Sequence, residues 1–247
     1  MDLREYCIVP EWPAPAAVRA LQTTRRGGLS APPYASLNLG DHVGDEPLHV
    51  ARNRQRLAAL MPGEPVWLQQ VHGVVVADAD LGSCRIEGDA SVARQPGSVC
   101  VVMTADCLPV LLCDDAGTVV AAAHAGWKGL AAGVIETTVQ NMACEPQRLM
   151  AWLGPAIGPQ AFEVGDDVRA AFMAHDAAAK AAFQPGKPGK WLADIYLLAR
   201  QRLAALGITR VYGGGLCTYS DAETFFSYRR DGVTGRMGTF IWLQRPV

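Results

Sequence analysis

The sequence predicts an α+β fold in which mixed β-sheets are flanked by helices, and three observations carry that prediction. Half of the 247 residues are apolar, enough for a sizeable buried core. Short runs rich in valine, leucine and alanine recur with turn-forming residues between them, as buried strands do. About four helical stretches are interleaved with these runs without a regular strand–helix–strand alternation, which fits helices outside mixed sheets rather than a doubly wound parallel sheet. No repeat, low-complexity linker or composition shift interrupts the chain, so residues 1–247 are read as one domain.

Taken in order, Pro10, Pro13 and Pro15 make the opening segment extended, and Val18 to Thr24 follows as a strand. From Thr24 to Gly40, through Gly27-Gly28, Pro32-Pro33 and Ser36-Leu37-Asn38-Leu39-Gly40, there is punctuation without periodicity, the mark of an irregular loop carrying polar groups. Asp45 to Leu60 reads as a helix with Val50, Leu57 and Leu60 on its apolar side, stopped by Pro62 and Gly63. Pro65 to Val71 is a strand closed by His72-Gly73, a second run covers Val74 to Ala77, and residues 85–95 hold a polar turn at Gly88-Asp89-Ala90.

The stretch from Ser98 to Gly129 organises the rest. Val99 to Met103, Pro109 to Cys113 and Thr118 to Ala123 are strand-like; the last two form a hairpin that turns at Asp114-Asp115-Ala116-Gly117 and feeds a helix from Trp127 to Met142. Asp106-Cys107 falls in the break between the first two runs, and His124 ends the third, so both chemically able side chains sit at strand ends. Leu149 to Leu153 is another strand, ending in the rigid loop Gly154 to Pro159. Helices are predicted for Asp166 to Ala182 and for Trp191 to Leu206, where Leu192, Ile195, Leu198 and Leu203 share a face and Gly207 caps the end; residues 184–190 are a surface loop between them. Gly213-Gly214-Gly215 is a flexible turn, and Gly238 to Leu243 closes the chain as a strand.

Composition excludes several classes. A formal charge of −2 with both signs scattered makes no electrostatic case for nucleic acid or an anionic membrane. The amino terminus lacks a basic segment followed by an apolar one, and no stretch has the apolar length of a membrane span, so the cytosol is the expected location. Seven widely spaced cysteines without a CxxC pair read as reduced thiols rather than a disulfide framework. There is no GxGxxG, GxxxxGK[ST] or GxSxG pattern, which removes dinucleotide, P-loop and nucleophile-elbow readings. No oligomeric state is predicted.

Two kinds of chemistry suit His72, Cys107 and His124. A thiolate and two imidazoles are a good ligand set for zinc, and three protein ligands leave a fourth position open, as in catalytic sites. The same residues also admit a Cys107 nucleophile deprotonated by His72 or His124, with Asp106 or Asp89 orienting the imidazole. His42, His49 and His175 lie in polar or exposed contexts and read as solvated.

The motifs themselves resemble a known family. Gln70-Val71-His72-Gly73, Thr104-Ala105-Asp106-Cys107-Leu108-Pro109, Ala123-His124-Ala125-Gly126-Trp127-Lys128-Gly129, Gly154-Pro155-Ala156-Ile157-Gly158 and Ser227-Tyr228-Arg229-Arg230-Asp231-Gly232 with Thr234-Gly235-Arg236 occur in the order seen in the YfiH-type family. That family carries two labels, laccase-like polyphenol oxidase and purine nucleoside phosphorylase. The resemblance implies a YfiH-like, cysteine-hydrolase-type fold and a zinc ion held by His72, Cys107 and His124. It also implies phosphorolysis of adenosine, inosine and methylthioadenosine, with adenosine deamination beside it and a possible editing role on a peptidoglycan precursor.

Each implied activity makes a demand on the residues. Phosphorolysis needs a purine nucleoside and phosphate held in line, and Arg229, Arg230 and Arg236, with Asn38, are the candidate anion and substrate contacts, supplemented by N–H groups at the amino end of the 127–142 helix. Zinc deaminases activate a water and move protons with the glutamate of an HxE motif; here the stretch is His124-Ala125-Gly126, so Asp106, Asp89 or Glu163 has to serve. Copper is possible at a Cys-His-His site. A multicopper oxidase, however, would have to build its second cluster from the other three of only five histidines.

Overall fold

The computed structural model describes residues 3–82 and 86–244; Cys84 and Arg85 lie outside them. The chain opens with β1 (Cys7–Ile8) and β2 (Val18–Thr23), crosses the irregular loop and forms α1 (Pro47–Ala58). The region expected to be one strand from Pro65 to Val71 is two short ones, β3 (Pro65–Val66) and β4 (Leu68–Gln69), followed by β5 (Val76–Asp78), β6 (Ile86–Glu87) and β7 (Ala90–Ala93). The central stretch is β8 (Val99–Thr104), β9 (Leu108–Asp114) and β10 (Val120–Ala125).

Beyond it, the helix expected from Trp127 to Met142 is broken into α2 (Trp127–Ala132) and α3 (Val134–Met142), because Gly133 between them adopts a left-handed φ of 101°. β11 (Leu149–Leu153) and β12 (Glu163–Gly165) lead to α4 (Asp166–His175). That helix stops at Asp176, whose side chain caps a separate 3-10 turn by accepting from the Ala178 amide. β13 (Phe183–Pro185) and β14 (Lys190–Ala193) then form a hairpin where a loop and a helix start were expected. The Trp191 run pairs in a sheet, and α5 (Ile195–Ala205) begins only after Asp194, which accepts from the Leu197 amide at 2.9 Å as N-cap aspartates do. β15 (Arg210–Gly213), the short α6 (Tyr228–Asp231) and β16 (Met237–Leu243) complete the chain.

Two mixed sheets dominate, in the orders β1-β2-β16-β8-β3 and β15-β11-β9-β10-β7-β5. Their facing sides make a shared apolar layer, with Cys100, Val102 and Ile241 of the first meeting Leu111, Cys113, Val120, Ala122 and Trp152 of the second. Alternate residues point outward, as a two-residue period requires. Val99, Val101, Met103 and Phe240 pack with Leu57 of α1, and Val110, Leu112, Ala121 and Ala123 pack with Leu130, Ile135, Val139, Leu198 and Leu203 of the helices. Strands β8 to β11 are buried along their whole length, which is why they read as unbroken apolar runs. The predicted α+β class with helices outside mixed sheets is the observed one. The predicted hairpin is β9–β10, in register from Val120 opposite Cys113 to Ala125 opposite Leu108.

Candidate metal centre

The site forms where the chain leaves one sheet for the other. β8 belongs to the first sheet and β9 to the second, so Ala105-Asp106-Cys107 must bridge them in three residues. Asp106 makes the bend at a φ of 93°, a region aspartate tolerates better than most side chains. Its carboxylate fastens the bend, Oδ1 accepting from the Thr218 hydroxyl at 2.7 Å and Oδ2 from the Arg229 amide at 2.6 Å. On the neighbouring strand, Val120, Ala122 and His124 alternate toward the inter-sheet layer, so His124 is the last and only polar member of an apolar row. His72 sits on a tight turn after β4 with a φ of 62°.

These three elements bring His72, Cys107 and His124 together with all of their donor atoms within 4.8 Å of one another. Cys107 Sγ lies 3.7 Å from His72 Nε2, and the two imidazoles meet edge to face at 4.8 Å. Asp89 accepts a 2.7 Å hydrogen bond from His124 Nδ1, which leaves Nε2 for the cluster, the usual carboxylate–histidine arrangement of metal sites. The donor set, one soft thiolate and two imidazoles with a carboxylate behind one of them, fits zinc.

Two glycines make the approach possible. A Cβ on Gly126 would stand 2.8 Å from His72 Cδ2 and 2.9 Å from Cys107 Sγ, and one on Gly129 would stand 2.9 Å from the Gly73 carbonyl oxygen. The glycines of His124-Ala125-Gly126-Trp127-Lys128-Gly129 therefore let the start of α2 lie directly against the cluster.

The charges are set by the same contacts. Burial pushes the Cys107 thiol up, but the His124 and His72 imidazoles outweigh it and pull it down to about 6. Burial alone would lower His124; the Cys107 thiolate and the Asp89 carboxylate reverse this and raise it to about 9. In the metal-free chain the pair is thus a thiolate beside an imidazolium. Asp89 itself is held below the ordinary carboxylate range, since hydrogen bonds from His124 and from the Gly73 and Val71 amides exceed the cost of burial.

On one side of Cys107 lies a slot of about 170 Å³ lined by Ala105, Asp106, Trp127, Ile157, Phe162, Ile195, Tyr228 and Arg229. Its walls are aromatic and aliphatic, the character expected of a small-molecule site. The sequence alone does not mark Trp127, Ile157, Phe162 or Tyr228 as binding residues. They come from three separate segments, α2, the β11–β12 connection and α6, and only their positions within or close to the turn motifs hint at them.

The candidate anion contacts divide sharply. Arg230 is committed internally: Nε and Nη2 pair with Asp231, Nη1 donates to the Thr218 and Tyr219 carbonyls, and Nη2 also to that of Phe225. It clamps its own loop, and the N–H groups expected to meet an anion are bonded within the protein. Asn38 is fully buried and spends both ends of its amide on the protein, donating to the Gly40 carbonyl and Asp45 and accepting from the Gly40 and Arg236 amides. Through the Arg236 backbone amide it braces the segment that carries that guanidinium.

Arg229 lies over Phe162 at 5.8 Å and donates from Nη1 to the Ala161 and Glu163 carbonyls. Arg236 is half-buried, directs Nη1 to the Thr234 and Gly235 carbonyls and feels the charges of Cys107 and Asp106. Its guanidinium also lies over the Tyr228 ring at 5.9 Å, and Tyr228 lines the slot. His42, expected to be solvated, is exposed, with Nδ1 3.5 Å from Asp41; burial and the charge of Arg236 lower its pKa.

The proposed proton carriers are also occupied. Both oxygens of Asp106 and of Asp89 accept hydrogen bonds as described, and Glu163 turns toward Lys187 at 3.9 Å. The amino end of α2 adjoins the cluster, but the helix spans only six residues rather than the sixteen expected over 127–142, so fewer peptide dipoles add up there.

Residues 19–244 match the family model described as multi-copper polyphenol oxidoreductase laccase. The chain is 60% identical over 242 residues to the purine nucleoside phosphorylase YfiH of Escherichia coli K12, covering 96% of this chain and 98% of the relative. The chain belongs to the YfiH-type family. A purine nucleoside phosphorylase of Streptomyces coelicolor is 41% identical, covering 90% of this chain and 93% of the relative. Among solved structures, a Neisseria meningitidis protein superposes with a TM-score of 0.93 at 51% identity, covering 97% and 100% of the two chains. YlmD from Geobacillus stearothermophilus superposes at 0.86 with 31% identity and 93% coverage of each. The YfiH-type fold expected from the motifs is therefore the fold present. No helix among the described residues is long and apolar enough to cross a membrane.

Proposed function

We propose that this chain is a zinc-dependent purine nucleoside phosphorylase acting on adenosine, inosine and methylthioadenosine, working in the cytoplasm. The observation that carries the reading is the His72–Cys107–His124 cluster, whose Cys107 faces an aromatic slot that Tyr228 and Arg229 also line, with the Arg236 guanidinium over Tyr228 at 5.9 Å. The names of the Escherichia coli and Streptomyces coelicolor relatives support the reaction class.

Bound zinc would supply a Lewis acid with one open position on His72, Cys107 and His124. The chain's own groups do the positioning. Trp127, Phe162 and Tyr228 offer faces against which a purine stacks. Arg236, over Tyr228 at 5.9 Å, offers phosphate the planar fork that suits it. An oxygen of phosphate then bonds to the ribose C1′ while the glycosidic C–N bond breaks, its electron pair and a proton ending on the departing base. The gain comes from alignment and from charges fixed in advance.

Deamination of adenosine asks for a free carboxyl group near the purine C6. The hydrogen bonds around Asp106 and Asp89 support ranking it below phosphorolysis. The laccase label finds less support, because one three-donor group is assembled among the described residues, whereas His49 lies on α1 and His175 at the end of α4. A Cys107 nucleophile acting on a peptidoglycan precursor is the second reading, favoured by the thiol's fall to about 6. It applies to a protein that carries no metal.

Turnover of adenosine with and without phosphate tests the assignment. Ribose 1-phosphate should appear only when phosphate is present. Free ribose at the same rate without phosphate would make the enzyme a hydrolase, and inosine without base release would make it a deaminase.

A further inference from the structure

Asp89 does more than hold one imidazole. It is fully buried, directly before β7. Its Oδ1 accepts from His124 Nδ1 at 2.7 Å and from the His72 amide at 2.9 Å, while Oδ2 accepts from the Gly73 amide at 2.6 Å and the Val71 amide at 3.2 Å. One carboxylate therefore grips the ring of one metal-binding histidine and the backbone of the other.

The His72 arm needs that grip. Its φ of 62° lies in the left-handed region disfavoured for residues with a Cβ, and its side chain is exposed. Its ring meets Cys107 and His124 and has no carboxylate partner among the described residues. What aims the ring is the turn beneath it, and three consecutive amides of that turn converge on Asp89.

The geometry points to Asp89 as the positioning residue that sets both histidine ligands at once. It is not a proton carrier, because its four acceptor directions are filled by donors that stay in place. Loss of its charge disorganises two of the three ligands together rather than one. This inference rests on the metal-site reading above and not on which reaction the site performs.

Asp89→Asn provides the test, because an amide keeps one acceptor oxygen and turns N–H donors toward the donors it faces. Loss of one outer partner typically weakens metal binding about 10–100-fold; with two ligands affected, zinc affinity by chelator competition should fall by more than about 100-fold. Asp114→Asn is the control. Asp114 is another buried carboxylate, accepting from Thr118 and Val119 at the far end of β9 from Cys107. That variant should melt earlier yet keep zinc affinity within about threefold of wild type.

A folded Asp89→Asn protein that binds zinc like wild type overturns the inference. Should that variant not fold, hydrogen exchange on the wild type decides. The amides of His72 and Gly73 should remain protected after zinc is stripped, because Asp89 and not the metal holds them. Free exchange there in the metal-free protein overturns the inference equally. A wild type that never binds zinc would instead sink the metal reading, leaving the exchange result to stand or fall by itself.

Discussion

Gly126→Ala is the most exacting check on the cluster geometry. The new methyl carbon would stand 2.8 Å from His72 Cδ2 and 2.9 Å from Cys107 Sγ, against roughly 3.5 Å or more for comfortable contact. Both ligands, or the start of α2, have to move by about 0.6–0.7 Å, more than the ~0.2 Å tolerance of a well-formed metal site.

The backbone raises no objection to alanine, since Gly126 has a φ of −62°. By itself the change should stabilise the fold by about 0.4–1 kcal/mol through the unfolded chain. The two effects separate in one experiment. A hundredfold loss of zinc affinity removes about 2.7 kcal/mol of metal-linked stability at fixed free zinc, roughly 5–10 °C of melting temperature for a chain of this size. Thermal unfolding with and without zinc should therefore show a metal-free protein melting near the wild type and a metal-dependent rise largely lost. An undiminished rise would mean that Gly126 does not bound the metal position and that the contact geometry has been misread.

If zinc sits on the triad as proposed, Cys107→Ala and His124→Ala should each lose it while remaining folded, because each removes one of three ligands; elemental analysis finding full occupancy in either would sink the triad. Arg236→Ala should raise the phosphate KM about ten- to a hundredfold, the cost of a charge-assisted hydrogen bond of about 1.5–3 kcal/mol. Arg230→Ala should instead lower the melting temperature without a selective effect on phosphate. Steady-state kinetics with phosphate and nucleoside varied separately distinguish the two. In metal-free protein, iodoacetamide should label Cys107 with a midpoint near pH 6, because thiolate forms as pH rises through its lowered value of about 6. Labelling that rises only near the ordinary thiol range, or that zinc does not suppress, would contradict the thiolate–imidazolium pair.

Much of the site was legible because its residues sit at breaks in strong patterns. Cys107 and His124 interrupt apolar runs that are buried on both faces, and a polar side chain at the end of such a run has few structural reasons to be there. The class of fold, the β9–β10 hairpin and the strand at Leu149–Leu153 followed from the same patterning, since burial on both sides of a strand dictates composition directly.

Where local pattern and tertiary context competed, the structure decided. The 127–142 periodicity cannot show that Gly133 turns left-handed and splits the helix. The Trp191 run looks helical until β12 and β13 pair with β14. The functional roles depended still more on distant partners. Arg229, Arg230 and Arg236 are equivalent as letters, but the carbonyls and carboxylate that occupy Arg230 are a property of the folded loop. Asp89 reads as one acid among several, because the amides it binds lie 16–18 residues away and its imidazole 35 away. A sequence determines which groups are present and which strand ends carry them; hydrogen-bond capacity is allotted only when the chain closes on itself, and that allotment separates the residues that hold the site from those left free to bind.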